Sequence, residues 1–226
     1  MAAPVLLIIT AGGMGKRFGK PYPKQLETIE GHSILRRTAL FFEKIKPDFC
    51  VVTCPDGYDD EFRKELSELS FPVEIVRGGS QRHDSVKAAV IFLEGQNFPG
   101  DSAVLVHDAV RPFLRLETVK ALIAAIRKDG AAVPYVPVTG TIRRFRDDEF
   151  QEAVERKDVV VVTTPQGATL EILGQCFKNQ GLSYPDESTL LFAESINVTP
   201  IRDWHLNIKI TTRDDLETAK MLWCIK

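Results

Sequence analysis

With 226 residues, 44% of them hydrophobic and 27% charged, the chain is long enough to bury a core without disulfide or metal staples. Its net charge of -2 excludes a global attraction for nucleic acid or an anionic membrane, so any phosphate recognition must be local. Its apolar runs fall short of the roughly 20 residues of a membrane span, and a soluble, cytoplasmic protein is expected.

The apolar start, Met1 to Ile9, lacks the basic flank of a signal peptide and runs into a glycine loop, so it reads as a first strand. Val5 to Thr10 is a continuous β-branched run, the pattern of a strand covered on both faces. Similar runs follow at Phe49 to Thr53, Val73 to Val76, Ala103 to Val106 and Ala131 to Val136. Helical stripes lie between them, through Ile34 and Ile45, Val86 and Leu93, and Val119 and Ile126. That alternation predicts an α/β fold with a mostly parallel wound sheet, whose ligands sit beyond the carboxyl ends of the strands. The loops after Thr10, Val76 and Val106 are therefore expected on one rim.

Cys50, Cys54, Cys176 and Cys224 match neither a zinc nor a disulfide spacing, and the first two read as buried strand thiols. Val138 to Val154 breaks the rhythm with a run of charges, and a hairpin turning near Asp147 and Asp148 fits it. Such an arm has little core of its own and is expected to pack on a second subunit, a solvated loop being the alternative. A helix is expected from Thr169 to Lys178, a helix end and a strand across Leu190 to Ile201, and a short strand over Asn207 to Thr212. Thr212 and Asp215 then form a capping box for a last helix. With no repeat or linker, residues 1–226 read as one domain carrying a protruding arm at 138–156.

Four segments carry the chemistry. In the first, Ala11-Gly12-Gly13-Met14-Gly15-Lys16-Arg17 followed by Pro23-Lys24-Gln25, glycines let backbone N–H groups approach a phosphate chain while Arg17 and Lys24 add charge. It lacks the Gly-Lys-Ser/Thr of a P-loop and the last glycine of a dinucleotide fingerprint, and a plain glycine turn is the bland alternative. In the second, Gly78 to Val86, small residues such as Gly79, Ser80 and Ser85 permit close approach to a base, with a helix cap by Ser80 as the other reading. The third ends a strand at His107-Asp108-Ala109-Val110-Arg111. There Asp108 is placed to hold Mg²⁺ against a triphosphate, or to serve as a turn residue paired with Arg111, and His107 reads as a core histidine. The fourth, Asn207 to Thr212, offers Lys209 as a phosphate cation if it faces the rim.

Taken in order with Thr164-Pro165-Gln166, these motifs resemble the 2-C-methyl-D-erythritol 4-phosphate cytidylyltransferase (IspD) family over residues 5 to about 222. The resemblance implies a Rossmann-like nucleotidyltransferase fold, a homodimer with interlocking arms, CTP with Mg²⁺, and a step of isoprenoid precursor synthesis. It implies that Arg17 and Lys24 meet the triphosphate, that Gly79, Ser80 and Ser85 help recognise cytosine, and that Asp108 serves the metal and phosphates. Arg111 and Lys209 would line the acceptor site and the α-phosphate, and Thr141 and Arg156 would reach the acceptor phosphate of the neighbouring subunit. Two stretches depart from the family pattern. Gly140-Thr141-Ile142-Arg143 replaces Asp-Thr-x-Lys, and Pro185-Asp186-Glu187 replaces Thr-Asp-Asp. His107 to Phe113 also looks like the sister family that uses ribitol 5-phosphate. The rivals are thus ribitol 5-phosphate as acceptor, a catalytically silent nucleotide-binding module and, more distantly, a Rossmann-type oxidoreductase.

Overall fold

The computed structural model describes residues 3–14, 18–178 and 183–225. The chain opens with β1 (Val5–Thr10), a small hairpin of β2 (Thr28–Ile29) and β3 (His32–Ser33), and α1 (Ile34–Phe41), whose first turn is capped by the Ser33 hydroxyl. Next come β4 (Phe49–Cys54), α2 (Asp59–Leu66), β5 (Val73–Arg77), α3 (Arg82–Glu94), β6 (Ala103–Asp108), α4 (Leu116–Asp129) and β7 (Ala131–Pro137). The second half supplies β8 (Ile142–Arg146), β9 (Glu149–Val154), β10 (Val160–Val162), β11 (Gln166–Thr169), α5 (Leu170–Lys178), α6 (Glu187–Ala193), β12 (Thr199–Arg202) and α7 (Arg213–Cys224).

The sheet runs β10-β7-β11-β6-β1-β4-β5, with β12 added beside β7, and β6, β1, β4 and β5 are mutually parallel. Alternation along β1 separates its two covered faces. Leu7 and Ile9 pack with Leu35, Phe62 and Leu122, whereas Leu6 and Ile8 pack with Val86, Val90 and Leu173. Helices α1, α2 and α4 thus cover one face and α3, α5 and α6 the other, which is why β1, β4 and β6 are buried almost end to end. Cys50 and Cys54 are buried in β4, as expected, and burial pushes the Cys54 thiol up to about 12. No helix among the described residues is long and apolar enough to cross a membrane.

Two local expectations need correction, and one strand lies beyond those expected. β11 sits between β6 and β7, antiparallel to both. Its sequence, Gln-Gly-Ala-Thr, carries no apolar alternation. A Cβ on Gly167 would come within 2.2 Å of the Val104 carbonyl oxygen, so backbone proximity shapes this strand. The segment after β12 is not a ladder strand: Asn207 to Thr211 is irregular, tied to the fold by Ile210 N–H donating to the Val110 carbonyl. Ser80 does not cap α3. Gln81 holds that position in a capping box with Asp84, and the Ser80 hydroxyl donates to Asp84 instead.

β8 and β9 form a hairpin separate from the main sheet, with a bulge between Arg143 and Phe145. Asp147 and Asp148, with φ of 53° and 60°, make the turn where the sequence places it. Phe145 and Phe150 meet edge to face yet stay 61% and 78% exposed. In the last helix Thr212 caps α7 and Asp215 returns the bond, matching the predicted box.

Candidate active site

The ends of β1, β5 and β6 meet at a cavity of about 300 Å³, which the 207–211 segment and the loop before β2 close from the side. The two glycine loops interlock. A Cβ on Gly78 would approach the Gly12 Cα to 2.8 Å, and one on Gly79 would collide with Asp84 at 2.2 Å, so neither position admits a side chain without a shift. Gly13 lines the same cavity, yet a Cβ there would meet nothing within 4 Å, so its neighbours in the chain give no packing reason for glycine. Gln25, buried beneath, donates from Nε2 to the carbonyls of Ala11 (2.7 Å) and Gly13 (2.9 Å) and fixes the first loop. Ala11 N–H is anchored on Thr53 of β4. In the second loop the Ser85 hydroxyl accepts from Gly79 N–H and donates to the Gln81 carbonyl.

Asp108, at the end of β6, is the hub. Its Oδ1 accepts from Arg82 Nε (3.1 Å) and the Thr10 hydroxyl (3.3 Å), and its Oδ2 from Lys209 Nζ (2.9 Å) and Arg111 Nε (3.2 Å). Burial alone would raise its pKa, but the charges of Arg82, Lys209 and Arg111 override that and hold it well below the usual carboxylate range. Lys24 Nζ reaches across to donate to the Ile210 carbonyl (2.7 Å), which brings it beside the segment that carries Lys209.

That segment is held from below. Asn207 Nδ2 donates to the carbonyl of Thr164 and to Asp203 Oδ2, Asp203 also accepts from Thr118 and Thr163, and the Asn207 carbonyl takes Arg111 Nη1. His107 plays the part of a core histidine. Its Nε2 faces the Arg111 carbonyl, which can only accept, so Nε2 carries the proton and Nδ1 accepts from Thr164. Burial lowers its pKa to about 4 and keeps it neutral.

Of the candidate residues, Gly12, Gly13, Lys24, Gly79, Ser80, Ser85, Asp108 and Lys209 line the cavity, and Ala11 and Arg111 are bonded directly to its walls. Gly15 and Arg17 lie outside the described residues. Thr141 and Arg156 are not among the lining residues: both are exposed near the base of the arm, where Arg156 Nη1 donates to the Thr139 carbonyl. The sequence motifs contained Gln25, Arg82 and Asn207 but gave them no role. Arg82 offered one signal, since a cation in the first turn of a helix opposes the dipole and calls for acidic partners. Those partners, Asp108 and Glu187, come from distant parts of the chain.

No group of three or more metal-ligating side chains occurs among the described residues. Asp108 is the one carboxylate among the described lining residues. A single carboxylate suits a cation that takes most of its shell from phosphate oxygens and water, as Mg²⁺ does.

Known proteins share this framework. The family model described as 2-C-methyl-D-erythritol 4-phosphate cytidylyltransferase matches residues 5–223. A protein of that name from Bacillus mycoides is 32% identical over 221 residues, covering 95% of each chain. One from Clostridium botulinum is 34% identical over 227 residues, covering 96% of this chain and 98% of the relative. The crystal structure of the Thermus thermophilus protein of that name superimposes with a TM-score of 0.77 at 26% identity, covering 98% of each chain.

Proposed function

The chain belongs to the 2-C-methyl-D-erythritol 4-phosphate cytidylyltransferase family, and on that premise we propose that it transfers CMP from CTP to 2-C-methyl-D-erythritol 4-phosphate, releasing pyrophosphate. It is a nucleotidyltransferase. The observation that carries the site assignment is the meeting of Lys24, Lys209 and Asp108 with two glycine loops around one cavity, although these residues are far apart in sequence.

The reaction needs no enzyme nucleophile. An acceptor phosphate oxygen attacks the α-phosphorus in line with the departing pyrophosphate, and the chain's task is to position both partners and to balance charge as it builds. Gly13 and the backbone beside it leave room for the phosphates. Lys24 and Lys209 supply the cations, with Arg17 as a third, and Gly79, Ser80 and Ser85 flank the base. Lys209 is 40% exposed while its partner Asp108 is 6% exposed, so the lysine is the member of that pair able to turn toward a phosphate. Asp108 would hold Mg²⁺ together with phosphate oxygens. Bound there, the ion would neutralise phosphate charge.

The acceptor half is read as completed by a second subunit, whose arm would bring Thr141 and Arg156 to the phosphate of the polyol. Support comes from the exposed Phe145 and Phe150 on a hairpin that has no core of its own. The chain would work in the cytoplasm, in keeping with four free cysteines. The ribitol 5-phosphate alternative is not favoured, because the family model and these relatives carry the methylerythritol name. The presence of both lysines at the cavity speaks against a silent module. Parallel assays with CTP and each polyol phosphate, following pyrophosphate release, test the reading. Release with ribitol 5-phosphate alone would replace the acceptor, and binding of CTP without release would leave a nucleotide-binding module.

A further inference from the structure

Glu187 belongs to the stretch where the sequence departs from the family pattern, and nothing above gives it a task. It begins α6, yet its side chain is only 3% exposed, and both carboxylate oxygens take the terminal nitrogens of Arg82, at 2.7 and 2.8 Å. The third donor of Arg82, Nε, goes to Asp108. One guanidinium therefore joins α6, the start of α3 and the end of β6, and its planar fork fixes the angle between its two partners.

A largely buried ion pair is a poor device for stability alone, since apolar side chains of similar size commonly do as well. It is a good device for orientation. Asp108 and Glu187 face Arg82, Arg111 and Lys209, so two negative charges are set against three positive ones. Neutralising Glu187 would leave Arg82 tied only to Asp108, free to rotate onto both carboxylate oxygens and to compete with Lys209 for Oδ2.

We propose that Glu187 is a positioning residue: acting through Arg82, it holds the Asp108 carboxylate so that Oδ1 is committed to the guanidinium and Oδ2 stays available to the reacting end of the cavity. This rests on the cytidylyltransferase reading. A clamp that merely joined α3 to α6 would affect folding and leave the roles of Asp108 untouched.

The test is a double-mutant cycle on the full-length enzyme, assayed with CTP and 2-C-methyl-D-erythritol 4-phosphate. Glu187→Gln is expected to lower kcat roughly 10- to 100-fold, as the loss of a supporting partner commonly does, with KM for CTP within about threefold. In an Asp108→Asn background the same change is expected to alter the residual kcat by less than about twofold, because its target is already gone. Arg82→Lys keeps the charge and loses the fork, so it should reproduce the loss and serves if Glu187→Gln does not fold. The proposal is overturned if the folded variant keeps kcat within about twofold of the parent, or if the loss is equal in both backgrounds. A parent enzyme that releases no pyrophosphate with either acceptor removes the functional reading, and this one with it.

Discussion

Two parts of the molecule are dense in charge, and they use it in opposite ways. Around Asp108, Arg82, Arg111, Lys209 and Glu187 are joined by bonds of 2.7 to 3.2 Å, and both carboxylates are almost wholly buried. On the arm, Arg144 and Glu152 pair at 2.9 Å with about two thirds of each side chain in water. Solvent screens the second pair, which is worth little, whereas the first set has fixed its dipoles before any ligand arrives. Charge density in a sequence is therefore a poor guide to chemistry until burial is known. The cavity is prepared by one chain; the arm offers surface that a partner would have to organise.

The strongest test of that contrast is at the cavity lysines. Lys24→Ala and Lys209→Ala are each expected to cut turnover at least about a hundredfold, since one preorganised donor commonly supplies roughly 3 to 4 kcal/mol of barrier lowering. Circular dichroism should show the fold intact in both, because Lys24 bonds a loop carbonyl and Asp108 keeps Arg82 and Arg111 when Lys209 is lost. Near-normal turnover in both variants would mean that the prepared charge does not serve the reaction.

The same preparation has a pH signature. His107 has its folded pKa lowered to about 4 by burial, against an ordinary 6.5, so the unfolded chain binds a proton that the native state refuses. Its contribution to stability is complete above pH 6.5 and is lost as the pH falls from 6.5 to about 4, in all about 3 kcal/mol. His107→Asn should be less stable than the parent at pH 7, and denaturant titrations should show the gap narrowing over that window. A constant gap would mean that the histidine is already protonated in the fold.

On the arm the expected losses are smaller and fall on one substrate. Arg156→Ala should raise KM for the polyol phosphate roughly tenfold and leave KM for CTP nearly unchanged, as for one solvated phosphate contact. An equal rise for both substrates would break the division between a nucleotide half and an acceptor half.

Legibility followed the same line. The parallel strands, their rim and the capping box of α7 were readable because each rests on local rules, namely apolar runs and capping chemistry. β11 was hidden because a buried glycine strand leaves no pattern, only a close approach to Val104. The Asn207 to Thr211 segment looked like a strand by alternation, yet its backbone is held by Asn207, Asp203 and Thr164, contacts that no local pattern encodes. Gly12, Gly79 and Lys24 stood out in the sequence and line the cavity, whereas Arg82 and Glu187 gained meaning only when folding set them against Asp108.

The smallest expected effect lies at the tip of the hairpin. Asp147 and Asp148 both adopt positive φ, a conformation that costs a residue with a Cβ on the order of 1 kcal/mol and that Asp-Gly turns adopt with less strain. Asp148→Gly should therefore stabilise β8 against β9. If the arm opens independently of the sheet, that gain stays local: amides of Ile142 to Arg146 and Glu149 to Val154 should exchange about fivefold more slowly in dilute solution. The melting midpoint of the whole protein should then move by less than about 1 °C, because the residues of β8 and β9 lie outside the buried apolar core. A rise of several degrees instead would show that arm and sheet unfold as one unit, and the distinction between a prepared cavity and a separate arm would have to be given up.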